Sequence, residues 1–251
     1  MSRISVVIIT KNESHIIGNT LRSLEGVADD IVIIDSESTD NTIEICRQYR
    51  ARIIETKWAG YGVNKNLGID AAINDWILSL DADEALDDEL RISLKQLELN
   101  NENMVFNIRF KNFFCNKWIR YGEWGSDKHI RLFNRRQVRW NIDEVHEGLV
   151  LPQKTRTINL KGNILHYTVN SIREYEHKID TYARLNANKY FLGGKRFGFF
   201  KMYLSPIFAF IQHYIFRLGF LDGKEGLIIA NATRRYTFLK YHYLNKLYRP
   251  A

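Results

Sequence analysis

Cysteine is scarce in this chain: Cys46 and Cys115 are the only two among 251 residues. They form no Cys-x-x-Cys pair, so zinc ligation by that motif has no support and two reduced thiols in a reducing compartment are expected. Glycine-rich phosphate loops are missing as well. No Gly-x-Gly-x-x-Gly follows the first strand-like run, and no Gly-x-x-x-x-Gly-Lys-Ser/Thr occurs anywhere. That excludes the dinucleotide fingerprint and the P-loop, so a phosphate ligand would need a metal rather than a glycine cradle. Long apolar runs are also absent. The longest charge-free apolar stretch of the C-terminal part, residues 202–216, contains Pro206, Gln212 and His213. It falls short of the ~20 apolar residues of a membrane-spanning helix. The chain passes from Met1-Ser2-Arg3 straight into a strand pattern with no signal-peptide signature, so a cytoplasmic site is expected. Neither repeats nor a low-complexity linker are found.

What is present is an ordinary globular composition with an uneven charge. Apolar residues make up 45% of the chain, which excludes wholesale disorder. Residues 1–150 hold 19 Lys and Arg against 24 Asp and Glu, whereas residues 151–251 hold 17 against 5. An acidic catalytic part followed by a basic part that meets an anionic partner is expected. No nucleic-acid motif is recognisable, so nucleic acid is not the expected anion.

The first hundred residues alternate strand and helix signals. Strands are predicted over 4–9, 30–35, 52–55 and 76–80, and helices over about 13–24, 40–49, 63–73 and 87–99. Such alternation predicts a mainly parallel sheet covered on both faces. Beyond residue 103 the runs 105–114 and 129–133 read as strands with no helix between them, so the sheet becomes mixed. From Ser171 onward the pattern is helical, aromatic and basic. The expected organisation is a catalytic domain over 1–168 and a helical extension over 169–251.

The chemistry concentrates where strands end. Trp76-Ile77-Leu78-Ser79-Leu80 stops abruptly at Asp81-Ala82-Asp83-Glu84. On an extended backbone Asp81 and Asp83 can point the same way, and two close carboxylates repel unless a cation sits between them. Mg²⁺ and similar hard ions take one or two carboxylates plus substrate phosphates. The carboxyl edge of an open α/β sheet is also where ligands bind, so a metal and a diphosphate are expected there. Thr10-Lys11-Asn12-Glu13 and Asp35-Ser36-Glu37-Ser38-Thr39-Asp40 end the first two strands at the same edge. Asp35 can accept a hydrogen bond from a base or ribose, and Asp40 reads as a helix cap. Lys65, beside Asn66, either approaches a nucleotide or is an exposed helix lysine. The cluster Asp143-Glu144-Val145-His146-Glu147 offers a carboxylate as general base on a hydroxyl. His166 is a candidate metal ligand or phosphate contact, with a structural histidine as the alternative. Arg131, Arg135, Arg136 and Arg139 could hold an anionic acceptor by bidentate contacts, or line a solvated strand face. The interleaved cations and aromatics of residues 196–247 suit a helix lying in a lipid headgroup layer.

Together these residues resemble a family 2 glycosyltransferase of the GT-A fold. Val145-His146-Glu147, His166-Tyr167 and Gly219-Phe220-Leu221-Asp222-Gly223 are similar to the glucosyltransferases that extend the inner core of bacterial lipopolysaccharide. The resemblance implies a GT-A, Rossmann-like, mixed and mainly parallel sheet with helices on both faces. It implies a nucleotide-sugar site at Thr10, Asn12, Glu13, Asp35, Lys65, Asp81 and Ala82, with Mg²⁺ or Mn²⁺ on Asp83, Asp81 and His166. Glu147 falls where the family's catalytic carboxylate is expected, with Glu144 as the alternative. His146, Arg131 and Arg135 are then candidates for holding the acceptor. The expected reaction is inverting transfer of glucose from UDP-glucose to a membrane-linked glycan such as lipopolysaccharide core heptose. The protein would sit on the inner face of the inner membrane. A polyprenyl-phosphate, capsule or protein glycan as acceptor, and a non-catalytic nucleotide-sugar-binding module, are the alternatives.

Overall fold

The structure, a computed structural model, describes residues 3–142, 148–169, 171–196 and 198–249, with the backbone alone at Phe199. The chain forms two compact units, Met1–Phe110 with Lys128–His166, and Lys111–Asp127 with Tyr167–Ala251. Residues 111–127, placed by sequence with the first domain, group with the second unit.

In the first unit the β-branched runs become β1 (Ile4–Thr10), β2 (Asp30–Asp35), β3 (Arg52–Glu55) and β4 (Trp76–Asp81). They lie parallel in the order β3-β2-β1-β4. Every residue of β1 is buried because alternate side chains enter different cores. Val6 and Ile8 pack with Ile33, Leu78 and Leu80, together with Ile17 and Leu21 of α1 (Ile17–Ser23) and Leu90 of α4 (Asp88–Lys95). Val7 and Ile9 pack with Val32, Ile34 and Ile77, together with Ile69 of α3 (Tyr61–Ala71). A side chain on Gly68 would put its Cβ 2.4 Å from Val7 Cγ1, so glycine is what lets α3 lie this close to β1. Helices therefore cover both faces of the sheet.

Beyond β4 the sheet turns antiparallel, as the loss of helix signals after residue 103 predicts. β6 (Met104–Phe114) and β8 (Lys128–Asn134) continue it, β8 pairing with β4 and with β6. β11 (Arg156–Val169) follows beside β6, and β5 (Glu84–Leu86) closes the edge. Several features depart from the sequence expectation: β5 was not predicted, and α4 ends at Lys95 rather than near residue 99. The first helix begins at Ile17, because the Glu13 carbonyl closes a turn with the Ile16 and Ile17 amides before it. β11 is far longer than the short run around His166 implied. It is interrupted in pattern by Gly162, whose φ of +90° and 2.1 Å approach of a built Cβ to the Leu90 amide leave room only for glycine.

In the second unit the short β7 (Lys117–Trp118) pairs with Phe113 and Phe114. α5 (Ile172–Leu192) starts at Ser171, whose hydroxyl accepts from the Glu174 amide. α6 (Phe199–Ile211) runs into a π turn over Gln212–Phe216 and a 3-10 turn over Gly219–Asp222, and α7 (Gly223–Tyr248) follows. The carboxylate of Asp222, within the Gly-Phe-Leu-Asp-Gly motif, accepts from the backbone amides of Arg120 (3.1 Å) and Tyr121 (2.8 Å). Among the described residues no single helix is long and apolar enough to cross a membrane.

Candidate functional site

Registry fixes the spacing of the candidate carboxylates. Thr10 on β1 sits opposite Asp35 on β2, and its neighbour Ile9 sits opposite Asp81 on β4. The two aspartates lie two strand spacings apart at one edge of the sheet, about 10 Å. That is too far for one ion to touch both, so they address different parts of any ligand. The loops after β1 and β2 are hydrogen-bonded to each other. The Asn12 amide donates to Ser38 Oγ (2.8 Å), the Thr39 amide to Asn12 Oδ1 (2.7 Å) and the Glu13 amide to Thr42 Oγ1 (2.8 Å). Asn12 (φ 56°) and Glu37 (φ 58°) take left-handed backbones in these turns. Asp35 is buried and accepts from the Ser38 amide and hydroxyl. The Thr10 hydroxyl is buried at the same edge with no hydrogen-bond partner.

Asp40, expected as a helix cap, stands one residue before the N-cap position Asn41 of α2 (Thr42–Gln48) and still bonds the first turn. Its carboxylate accepts from the Thr42 amide (3.0 Å) and from the Ser14 amide (3.1 Å). Burial opposes ionisation, but the donors of Thr42 and Ser14 together outweigh it and hold its carboxyl well below the usual aspartate range.

Asp81 and Asp83 have different partners. Asp81 lies 3.1 Å from Lys65 Nζ and 3.3 Å from Arg131 Nη2. Arg131 also grips Glu84 at 2.5 Å, and the Asp81 amide donates to Glu84 Oε2 (3.0 Å). Lys65 is 2% exposed on its side chain, Arg131 8% and Glu84 0%. Lys65 also stands 4.4 Å from the Trp140 ring centre, and Arg131 lies 5.3 Å from that of Phe110. Burial raises the Asp81 carboxyl, yet Lys65 and Arg131 outweigh it and hold it below the usual range. Burial pushes Glu84 above the ordinary value against the pull of Arg131. The chain thus supplies its own cations against carboxylate repulsion at Asp81. Lys65 is therefore not the exposed helix lysine offered as one alternative. Asp83 is different: it is partly exposed, and Oδ2 lies 3.5 Å from Nε2 of His166. β11 brings that histidine there by pairing it with Glu84. Burial lowers the His166 pKa, but Asp83, Glu84 and Asp81 together raise it above the ordinary value.

A divalent ion fits the Asp83 side of this arrangement. One partly solvated carboxylate with an imidazole beside it suits an ion that completes its shell with water and diphosphate oxygens. No cluster of three His, Cys, Asp or Glu able to hold a metal unaided exists among the described residues. Asp81, by contrast, is already neutralised by Lys65 and Arg131.

Residues 5–208 match the family pattern described as Glycosyl transferase family 2. The chain belongs to glycosyl transferase family 2. It is 30% identical over 244 residues to the lipopolysaccharide core biosynthesis glycosyltransferase LpsC of Rhizobium meliloti, covering 94% of this chain and 89% of that one. It is 28% identical over 238 residues to an uncharacterized glycosyltransferase of Rickettsia typhi, covering 91% and 82%. Among solved structures, residues 1–349 of TarS from S. aureus align over 97% of this chain and 91% of that one, with 16% identity and a TM-score of 0.48. Glucosyl-3-phosphoglycerate synthase of Mycobacterium tuberculosis aligns over 45% and 44%, with 22% identity and a TM-score of 0.35. The mixed sheet with helices on both faces is the GT-A type of α/β fold, but it is parallel only over β1 to β4 and antiparallel beyond, so it is not mainly parallel as expected.

In this family 2 glycosyltransferase the candidate catalytic residues Glu144 and Glu147, with His146, lie outside the described residues. The residues on either side of them are described. β9 (Arg139–Trp140) pairs with β10 (Leu149–Val150), and the Asn141 amide donates to the Gly148 carbonyl (2.8 Å). Asn66 on α3 clamps Trp140 through both backbone groups, its amide donating to the carbonyl (2.9 Å) and its oxygen accepting from the N–H (3.1 Å). Lys65 and Asn66 thus tie Trp140 of β9 to Asp81.

The four arginines each have an acidic partner: Arg131 as above, Arg135 and Arg136 on Asp75, and Arg139 on Asp70. Arg135 also donates to the Ala72 carbonyl (2.6 Å) at the end of α3. Sequence reading missed Glu84 as the anchor of this site. Its signal was a charged residue continuing directly from an acidic pair into the apolar Ala85-Leu86.

Proposed function

We propose that this glycosyltransferase moves glucose from UDP-glucose to a hydroxyl of a membrane-linked glycan such as lipopolysaccharide core, with inversion at the anomeric carbon. The observation that carries the reading is the placement of Asp35 and the Asp81–Asp83 pair on either side of β1 at one sheet edge. Asp35, with Thr10 beside it and the Asn12–Glu13 turn above, would face the base and ribose. Asp83 and His166 would hold a divalent ion, Mg²⁺ or Mn²⁺, whose chemistry there is to offset charge on the leaving diphosphate. Asp81 and Ala82 would set the backbone that presents Asp83, with Asp81 held by Lys65 and Arg131. Ala82 is fixed in turn by the Thr20 hydroxyl, which donates to its carbonyl (2.7 Å). Glu147, or Glu144, would take the acceptor proton as the hydroxyl attacks. His146 would contact the acceptor. Arg131 and Arg135 would do so only by exchanging their present carboxylate partners.

The region 169–251 would hold the protein on the inner face of the inner membrane, close to a lipid-linked acceptor. Its basic charge and the exposed Phe200, Leu204, Phe208 and Phe216 support this. The same surface suits a polyprenyl-phosphate-linked acceptor, and mass spectrometry of products from both acceptors separates the two.

The test is donor hydrolysis across UDP-, GDP- and CMP-sugars with Mg²⁺ and Mn²⁺. Slow, metal-dependent hydrolysis of UDP-glucose is expected, and Asp83→Ala removes the metal-dependent part of UDP binding. UDP binding without turnover of any donor would instead make the chain a binding module.

A further inference from the structure

A cavity of about 650 Å³ opens within the second unit, among α5, α6 and α7. Its size falls in the range of pockets that hold small ligands. Its walls are helical stripes at three- and four-residue spacing. α5 presents Tyr175 and Ile179, α6 presents Tyr203 and Ile207, and α7 presents Ile228 and Phe238. Ala232 on α7, buried in the lining, is its smallest side chain. The charged lining residues are Glu176, Arg234 and Arg235. Glu176 pairs with Arg235 at 3.3 Å, and all three side chains reach solvent, leaving a net charge of one cation. Asn231 in the lining donates its amide to the Leu227 carbonyl (3.1 Å), and Tyr175 and Tyr203 each add a hydroxyl.

An apolar cleft with cations at its edge matches an amphiphile with a hydrocarbon chain and an anionic head. The wall residue Ile207 is 53% exposed, and the neighbouring Leu204 (60%) and Phe208 (62%) on α6 extend the apolar surface outside the cleft. That continuity selects a lipid of a bilayer over a free amphiphile. We propose that this cleft takes one acyl chain of an anionic phospholipid, with Arg234 and Arg235 receiving its headgroup phosphate. The proposal rests on the membrane-surface reading above and sharpens it to a single-lipid site.

The experiment uses the full chain. Co-sedimentation is measured with vesicles of dioleoyl-phosphatidylglycerol and of dioleoyl-phosphatidylcholine. Calorimetric titration uses dihexanoyl-phosphatidylglycerol below its micelle concentration. Saturable binding of the soluble lipid is expected, together with preference for the anionic vesicles. Ala232→Phe fills the cleft and should weaken soluble-lipid binding by at least tenfold, while adsorption to anionic vesicles persists. The double variant Arg234→Ala, Arg235→Ala should weaken binding to anionic vesicles by about fivefold for each arginine removed. Thermal melting followed by circular dichroism shows whether Ala232→Phe folds, and Ile207→Asn at an exposed wall position gives the same readout if it does not. Adsorption to vesicles with no soluble-lipid binding, or equal soluble-lipid binding by wild type and filled cleft, overturns the single-lipid site and leaves the surface reading standing. Indifference to both vesicle types overturns both, and UDP binding measured alongside tests the glycosyltransferase site independently.

Discussion

Replacing Arg131 with methionine keeps much of the side-chain volume on β8 and removes the cation that faces Glu84. The side chains of this pair are 8% and 0% exposed. Removing one partner of a buried pair costs about 3–5 kcal/mol, because the remaining charge is left without compensation. Asp81 adds little to that figure, since it is 31% exposed and keeps Lys65 at 3.1 Å. For a chain of this size the loss corresponds to a fall in Tm of roughly 6–20 °C. The cost depends on pH in a definite direction. Glu84 has a folded pKa raised above 4.5, so its protonated form is favoured in the folded state. Stability from such a group is fully present below 4.5 and is lost as pH rises through the folded value. Loss of Arg131 removes the main influence that lowers this pKa. The defect of Arg131→Met should therefore be smaller at pH 4.5 than at pH 7.5. Urea unfolding at both pH values, followed by circular dichroism, measures it. Arg131→Met with Glu84→Leu should recover most of the loss, short of about 1 kcal/mol for the Asp81 amide left without its acceptor. A cost below about 1 kcal/mol for the single variant at pH 7.5, or a double variant less stable than the single, would refute the reasoning.

Three further outcomes are expected. Glu147→Gln should lower kcat for sugar transfer by about 10²–10⁴-fold with UDP affinity kept, and near-normal turnover would pass the role to Glu144. Asp40→Ala should cost about 1 kcal/mol at pH 7 through loss of its bonds at the start of α2. Because the folded pKa of Asp40 is depressed, that difference is present above 3.8 and should shrink as pH falls below it, which acid titration of both proteins checks. Burial pushes the Cys46 thiol up to about 12, so a thiol reagent at pH 8 should label Cys46 only on unfolding, while the partly exposed Cys115 reacts in the native protein.

Much of the fold was legible in the chain. The β-branched runs of β1 to β4 and the helices between them follow from local pattern, because a strand buried on both faces must be apolar throughout. Their carboxyl edge and its acidic residues follow from the same reading. β5 and most of β11 were not legible. Three residues of Glu-Ala-Leu carry no strand signal of their own, and β11 is specified by its partners. The charged centre was likewise hidden. Arg131 reaches Glu84 across 47 positions and Asp81 across 50, and such distances leave no local trace.

By itself, then, the order of residues settled the α/β class, the parallel half of the sheet and the placing of Asp35, Asp81 and Asp83 at one edge. Those depend on periodicity and on strand ends, which are local properties. Only the tertiary structure decided that Asp81 spends its charge on Lys65 and Arg131 while Asp83 stands beside His166. Which cation meets which carboxylate depends on strand registry and burial, and these exist only once distant segments have paired.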